Sequence, residues 1–265
     1  MPEWPDVEIF KQYLDATSLH QKIRTLTVLN RKVLEGTSSK KLSQALQGHS
    51  FESTNRHGKY LFVKSDNNAV LFLHFGMTGS LRYSKNDRED GPHDRVVFTF
   101  KNNYKLVYVC QRLLGRVGLA ESIDRFVEKH ELGPDALSLD LKDFRQIFEK
   151  GRSNVKSTMM NQKLIAGIGN IYSDEILFQA KVHPAMACSK LSDADVKNIH
   201  HNMKKVLKRA VERKADPEKL PKSYLLVHRD KDGTCPRCHG RIQTRKISGR
   251  TSYFCPKCQR RRRNR

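Results

Sequence analysis

The stretch Gly167-Ile168-Gly169-Asn170-Ile171-Tyr172-Ser173-Asp174-Glu175 reads as a tight turn that opens a helix. Two glycines in three positions let the backbone fold sharply and let another group come close to it. Asn170 falls near the start of the following helix, where short polar side chains are favoured. The N–H groups at a helix N-terminus lack partners within the helix and suit an anion such as phosphate. Asp174 and Glu175 are a counter-signal, since they favour that end of a helix but would repel a phosphate they faced.

Outward from this turn, residues 140–214 are mostly helical in pattern. In Ser192–Glu212 the start is marked by Ser192 as N-cap, with Asp193 and Asp195 in the first turn and lysines and arginines towards the end. Pro217 and Pro221 stop that helix. Further upstream the texture differs. Val7, Phe10 and Leu14 recur at i, i+3 and i+7, which predicts an amphipathic helix over about 6–18. From Ile23 to about Leu119 the pattern is β. Tyr60–Val63, Ala69–Phe75, Arg95–Phe100, Lys105–Val109 and Arg116–Leu119 are short β-branched and aromatic runs separated by Asn, Asp and Gly clusters. The change of texture falls around Gly133-Pro134-Asp135.

The expected class is therefore α+β: an N-terminal antiparallel β-sandwich or barrel with flanking helices, then a helical part, then a Cys-, Gly- and Arg-rich end. The expected domains are 1–135, 136–222 and 223–265.

Cys235-Pro236-Arg237-Cys238 and Cys255-Pro256-Lys257-Cys258 are two C-x-x-C pairs. Each pair aims two thiolates at one centre, and a hairpin between them closes a tetrahedral site for one Zn2+. Gln243–Ile247 and Thr251–Phe254 supply the strands, with Ser248-Gly249 in the turn. Four thiolates leave no open position, so the ion is expected to be structural. Two disulfides are the alternative, disfavoured in a chain whose opening carries no export signal. Cys110 and Cys188 lie outside the pattern and are expected to be buried small apolar residues.

Net charge is +22, and residues 201–265 carry 21 Lys and Arg against 5 Asp and Glu. Such concentration marks a polyanion partner, with nucleic acid preferred over a solvated basic surface. Arg241, Arg245, Lys246 and Arg250 sit on the expected hairpin, and Arg260–Arg263 form a basic tail. No apolar run approaches the roughly 18–20 residues a membrane helix needs, so a soluble intracellular protein without membrane contact is expected.

Read together and in order, the opening Pro2-Glu3-Trp4-Pro5-Asp6-Val7-Glu8, the Gly167–Glu175 segment and the terminal ribbon resemble the formamidopyrimidine-DNA glycosylase / endonuclease VIII family. The resemblance covers nearly the whole chain. It implies a sandwich, a helix-two-turn-helix and a zinc ribbon. It also implies a monomer acting on double-stranded DNA that contains oxidised bases or abasic sites.

The catalytic residues it implies are Pro2, Glu3 and Lys59. Once Met1 is removed, Pro2 is a secondary amine, and a terminal amine with a pKa of about 8 is partly unprotonated at neutral pH. It would attack the sugar C1′, expel the base and leave an iminium that permits strand cleavage by β,δ-elimination. Glu3 would move the protons. Lys59, in Arg56-His57-Gly58-Lys59-Tyr60, and Lys156 would lie at the phosphate and the damaged nucleotide. Asn170, Tyr172 and Arg250 would hold the backbone phosphates.

An enzyme that flips a nucleotide must also fill the gap. The resemblance places Met77 in the gap, Arg112 against the orphaned base and Leu114 as an apolar wedge. Leu114 stands where the family usually has Phe, Asp6 where it commonly has Glu, and His228 where Tyr is expected. The Met77-type loop favours oxidised purines, such as 8-oxoguanine and formamidopyrimidines. Two alternatives are an endonuclease VIII-type enzyme for oxidised pyrimidines and a catalytically silent zinc protein that marks lesions.

Overall fold

The computed structural model describes residues 1–85, 89–230 and 232–259. The Arg260–Arg263 tail and the end of the third expected domain lie outside the described residues. The chain divides into two compact units. One is Met1–Pro2 with Asp6–Glu131, the other Glu3–Pro5 with Leu132–Arg265.

The first unit opens with α1 (Trp4–Ser18), which starts two residues before the expected boundary because Pro5 fits the first turn of a helix. Then come β1 (Ile23–Val28), α2 (Ser39–Leu46), β2 (Phe51–His57), β3 (Tyr60–Ser65) and β4 (Val70–His74). After them follow β5 (Gly79–Lys85), β6 (Asp94–Phe100), β7 (Tyr104–Cys110), β8 (Arg116–Ala120) and α3 (Ile123–Lys129). The strands form two antiparallel four-stranded sheets, ordered β1-β6-β7-β5 and β2-β3-β4-β8. One core joins them: Leu26, Phe98, Leu106 and Tyr108 meet Leu61, Val63, Leu71 and Leu73, with Val7 and Leu14 of α1.

The second unit contains α4 (Leu141–Glu149), α5 (Val155–Met160), α6 (Asn170–Gln179) and α7 (Asp193–Glu212). Ser192 caps α7 through a reciprocal capping box with Asp195. Phe144, Phe148, Met159, Ile176, Leu177, Ile199, Met203 and Val206 build its core. The hairpin β9 (Gln243–Ile247) and β10 (Arg250–Phe254) follows, turning through Ser248 and Gly249, both at positive φ. A small cluster of Phe178, Leu225, Ile242, Cys235 and Cys255 anchors the hairpin region to α6.

Candidate active site

Glu3 belongs to the second unit, and its carboxylate closes the N-terminus of α6. Oε2 accepts the backbone N–H of Gly169 at 2.8 Å and of Tyr172 at 3.1 Å, and Oε1 that of Ile171 at 2.8 Å. The side chain is 1% exposed. This changes the reading of the glycine turn: the orphan amides of α6 are given to Glu3 and not left open for a phosphate. The glycines serve the same contact. A Cβ on Gly169 would lie 2.4 Å from Glu3 Cδ, and one on Gly167, at φ +110°, would lie 2.5 Å from Trp4 Cδ1. Trp4 completes the anchor, donating its backbone N–H to Gly167 O at 3.0 Å and its indole Nε1–H to Asp135 at 2.8 Å.

Asn170 heads α6, with its side chain tied on both sides. Its Oδ1 accepts from Lys156 Nζ at 2.8 Å, and its Nδ2 donates to Thr251 O in β10 at 3.1 Å. The ring of Tyr172 is 5% exposed and packs in the helical core. Lys156 is wholly buried, with its ammonium on Asp174 Oδ1 at 2.5 Å. It therefore holds Asn170 from below instead of standing at the surface. Asp174 gathers donors from three segments: Lys156, the Arg229 guanidinium (Nη2 at 3.1 Å) and the Tyr253 backbone N–H at 3.1 Å. Burial pushes Asp174 up and Lys156 down from their ordinary values, and their mutual attraction opposes both shifts.

Glu175 is equally buried. It accepts from Gln179 at 2.6 Å and from the Leu226 backbone N–H at 2.8 Å, which ties the segment before the ribbon to α6. Burial pushes its carboxyl up to about 7. The two acids that looked ill-placed for a phosphate thus point inward. Asp174, Glu175 and Arg229 are the site residues that sequence reasoning missed. An acid next to a helix start reads the same whether it is buried or solvated. His228 folds back, its Nε2 lying 2.8 Å from Lys222 O.

In the first unit, Pro2 is half-buried behind an exposed Met1. Lys59 follows Gly58, which is at positive φ, in the tight turn between β2 and β3, and is buried. Arg56 fixes that turn by pairing with Glu8 of α1 at 3.0 Å and donating to Gly58 O at 3.2 Å. His74 ends β4. Burial first, then the charges of Lys59, Arg116 and His130, push its imidazole down to about 4, so it stays neutral near neutral pH. Met77 and Leu114 are apolar yet 41% and 46% exposed, and Arg112 is exposed beside them in sequence. Arg250 is exposed at the hairpin tip.

The Sγ atoms of Cys235, Cys238, Cys255 and Cys258 lie within 4.8 Å of one another. Four soft donors converging from two tight turns fit a tetrahedral zinc ion and leave no position for substrate. Arg237, inside the first turn, is spent on α6, donating to Phe178 O and Gln179 Oε1 at 2.7 Å each.

Three family models match in chain order. They are the formamidopyrimidine-DNA glycosylase N-terminal domain over 1–117, its H2TH domain over 132–220, and a zinc finger found in FPG and IleRS over 233–261. A formamidopyrimidine-DNA glycosylase of Streptococcus pyogenes is 32% identical over 99% of this chain and 100% of its own. The chain belongs to the formamidopyrimidine-DNA glycosylase family.

A family member from Mycoplasma pneumoniae is 34% identical over 98% of this chain and 99% of its own. Among solved structures, the Lactococcus lactis Fpg bound to DNA containing FAPY-dG matches with a TM-score of 0.88 at 27% identity, over 98% of this chain and 100% of that one. A complex of the same family's LlFpg with THF-DNA and an inhibitor matches with a TM-score of 0.90 at 28% identity, over 98% and 100%. The family's zinc finger spans the four cysteines, which are the site of one structural zinc ion. No helix among the described residues is long and apolar enough to cross a membrane.

Proposed function

We propose that this chain is a bifunctional DNA glycosylase and abasic-site lyase that acts as a monomer on oxidised purines in double-stranded DNA. The observation that carries the reading is the seating of Glu3. Three amides of α6 fix a buried carboxylate at the residue directly after the Pro2 nitrogen.

With Met1 removed, the Pro2 nitrogen attacks C1′ of the flipped nucleotide. The N–C1′ bond forms as the base leaves with the glycosidic electron pair. Glu3 delivers a proton to the sugar ring oxygen, the C1′–O bond opens and an iminium results. The iminium draws electrons from C2′, which loses a proton as the 3′ phosphate departs. A second elimination releases the 5′ phosphate, and water then frees Pro2.

Lys59, Asn170 and Arg250 hold the phosphates around the flipped nucleotide. Tyr172 supplies the α6 amide that grips Glu3, and Lys156 sets the Asn170 amide. Met77 and Leu114 fill the vacated space, and Arg112 meets the orphaned base. The work divides over a sandwich, 1–135, a helix-two-turn-helix part, 136–222, and a lesion segment with ribbon, 223–265.

The test is a panel of duplexes, each with one lesion. The reading expects release of 8-oxoguanine and formamidopyrimidines ahead of oxidised pyrimidines, with phosphate on both ends of the gap. Preference for oxidised pyrimidines would overturn the substrate assignment. Binding without release of any base would overturn the enzymatic one.

A further inference from the structure

The loop carrying Met77 runs from β4 to β5, and the loop carrying Arg112 and Leu114 runs from β7 to β8. β4 pairs with β8 at His74↔Arg116, and β5 pairs with β7 at Gly79↔Cys110. Both loops therefore cross between the same two sheets, side by side, with their ends fixed by strand pairing. A single crossover of this length would be loose, but two in parallel can brace one another.

Three contacts join them. The Arg112 backbone N–H donates to Thr78 Oγ1 at 3.1 Å. Gly76, at φ +57°, touches the second loop backbone to backbone: a Cβ there would lie 2.5 Å from Leu114 C and 2.6 Å from Gly115 N. Below them the Tyr108 hydroxyl donates to His74 O at 2.7 Å, and a Cβ on Gly115 would fall 1.8 Å from that hydroxyl. The first loop is closed on itself by Gly79 N–H to Phe75 O at 2.7 Å. The neutral His74 imidazole sits under the turn, its Nδ1 a long 3.4 Å from the Gly76 N–H. The second loop also carries Leu113 at φ +55°, a conformation costing about 1 kcal/mol or more for a leucine, which persists only where neighbours enforce it.

We infer that Thr78, Gly76 and Gly115 are positioning residues that lock the two loops into one preformed wedge, so that Met77, Arg112 and Leu114 enter the duplex together. The physical gain is entropic. A wedge ordered in advance does not spend its ordering cost at the moment it must offset unstacking of the base pair. The exposed apolar side chains of Met77 and Leu114 are what such a tool requires, since they have no packing partner until DNA arrives. The inference rests on the assignment of these three residues to the gap.

The test compares incision of a lesion duplex with cleavage of a single-stranded abasic oligonucleotide, which has no orphaned base and no gap to fill. Thr78→Val removes the hydroxyl acceptor at nearly constant volume, and Thr78→Ser keeps it. The expected result is a drop of about tenfold in the duplex-to-single-strand ratio for Thr78→Val, recovered by Thr78→Ser, with weakened preference among opposite bases because Arg112 is displaced.

A double-mutant cycle of Thr78→Val with Leu114→Ala keeps the question open to refutation even if either variant is less stable. A locked wedge predicts strong non-additivity in the ratio. Additive effects, or a Thr78→Val ratio equal to wild type, overturn the locking. If Met77→Ala and Leu114→Ala leave the ratio unchanged, the gap-filling assignment itself has failed. The two failures are thus distinguishable.

Discussion

Gly169 and Glu3 are mutually exclusive with any larger residue at 169: the space a Cβ would take is 2.4 Å from the Glu3 carboxyl carbon. Gly169→Ala should therefore push Glu3 off the α6 amides. The expected outcome is loss of both base release and strand cleavage by about two orders of magnitude, with lesion-DNA affinity largely kept. Single-turnover incision beside equilibrium binding checks this.

Asp174 is the only carboxylate on the buried Lys156 ammonium among the contacts described, and it also holds Arg229 and the Tyr253 N–H. Removing one partner of a buried pair leaves an uncompensated charge. Asp174→Ala should cost about 3–5 kcal/mol, read from urea unfolding. Lys156→Met should act differently. It frees the Asn170 amide, and lesion-DNA affinity should fall about tenfold, which is about 1.4 kcal/mol.

The pH dependence of stability has a buried contributor in Glu175, whose carboxyl burial pushes up to about 7. Unfolded, it ionises at the ordinary glutamate value, so over the interval from about 4.3 to about 7 the folded state holds the proton and the unfolded state does not. Folded stability therefore falls as pH rises through that window, by up to about 3 kcal/mol. Glu175→Gln keeps an acceptor for the Leu226 N–H and should flatten the fall. Unfolding midpoints of both proteins between pH 5 and pH 8, on the order of four points, decide it.

Metal analysis should find one zinc per chain, and Cys238→Ser should lower that content and lesion-DNA affinity together. Arg250→Ala, in contrast, should keep the zinc while weakening binding to all DNA alike. It should also reduce the slope of log affinity against log salt by about 1.

The ribbon was legible because two C-x-x-C turns leave few alternatives, and α7 because Ser192 and Asp195 spell out its cap. β2 and β5 were harder. Phe51-Glu52-Ser53-Thr54-Asn55-Arg56-His57 carries a single large apolar residue, so its strand is set by pairing with β3 and not by its own pattern. The short α2 and α3 lie in segments whose own sequence shows too little period to announce a helix.

The site divides the same way. Pro2, Glu3 and Asn170 were found through the order of motifs. The grip of α6 on Glu3 spans 166 residues of sequence and could not be read from either end. Nor could the inward turn of Asp174 and Glu175, because burial is a property of the packed helix and not of the residue.

The central claim is that the Pro2 nitrogen forms the covalent link to DNA. Borohydride reduction of protein lacking Met1, mixed with an 8-oxoguanine duplex, tests it most directly. The account predicts a stable one-to-one protein–DNA adduct whose linkage maps to Pro2 and which is diminished in Pro2→Gly. No adduct with any oxidised or abasic duplex, or an adduct that maps to a lysine, would contradict it.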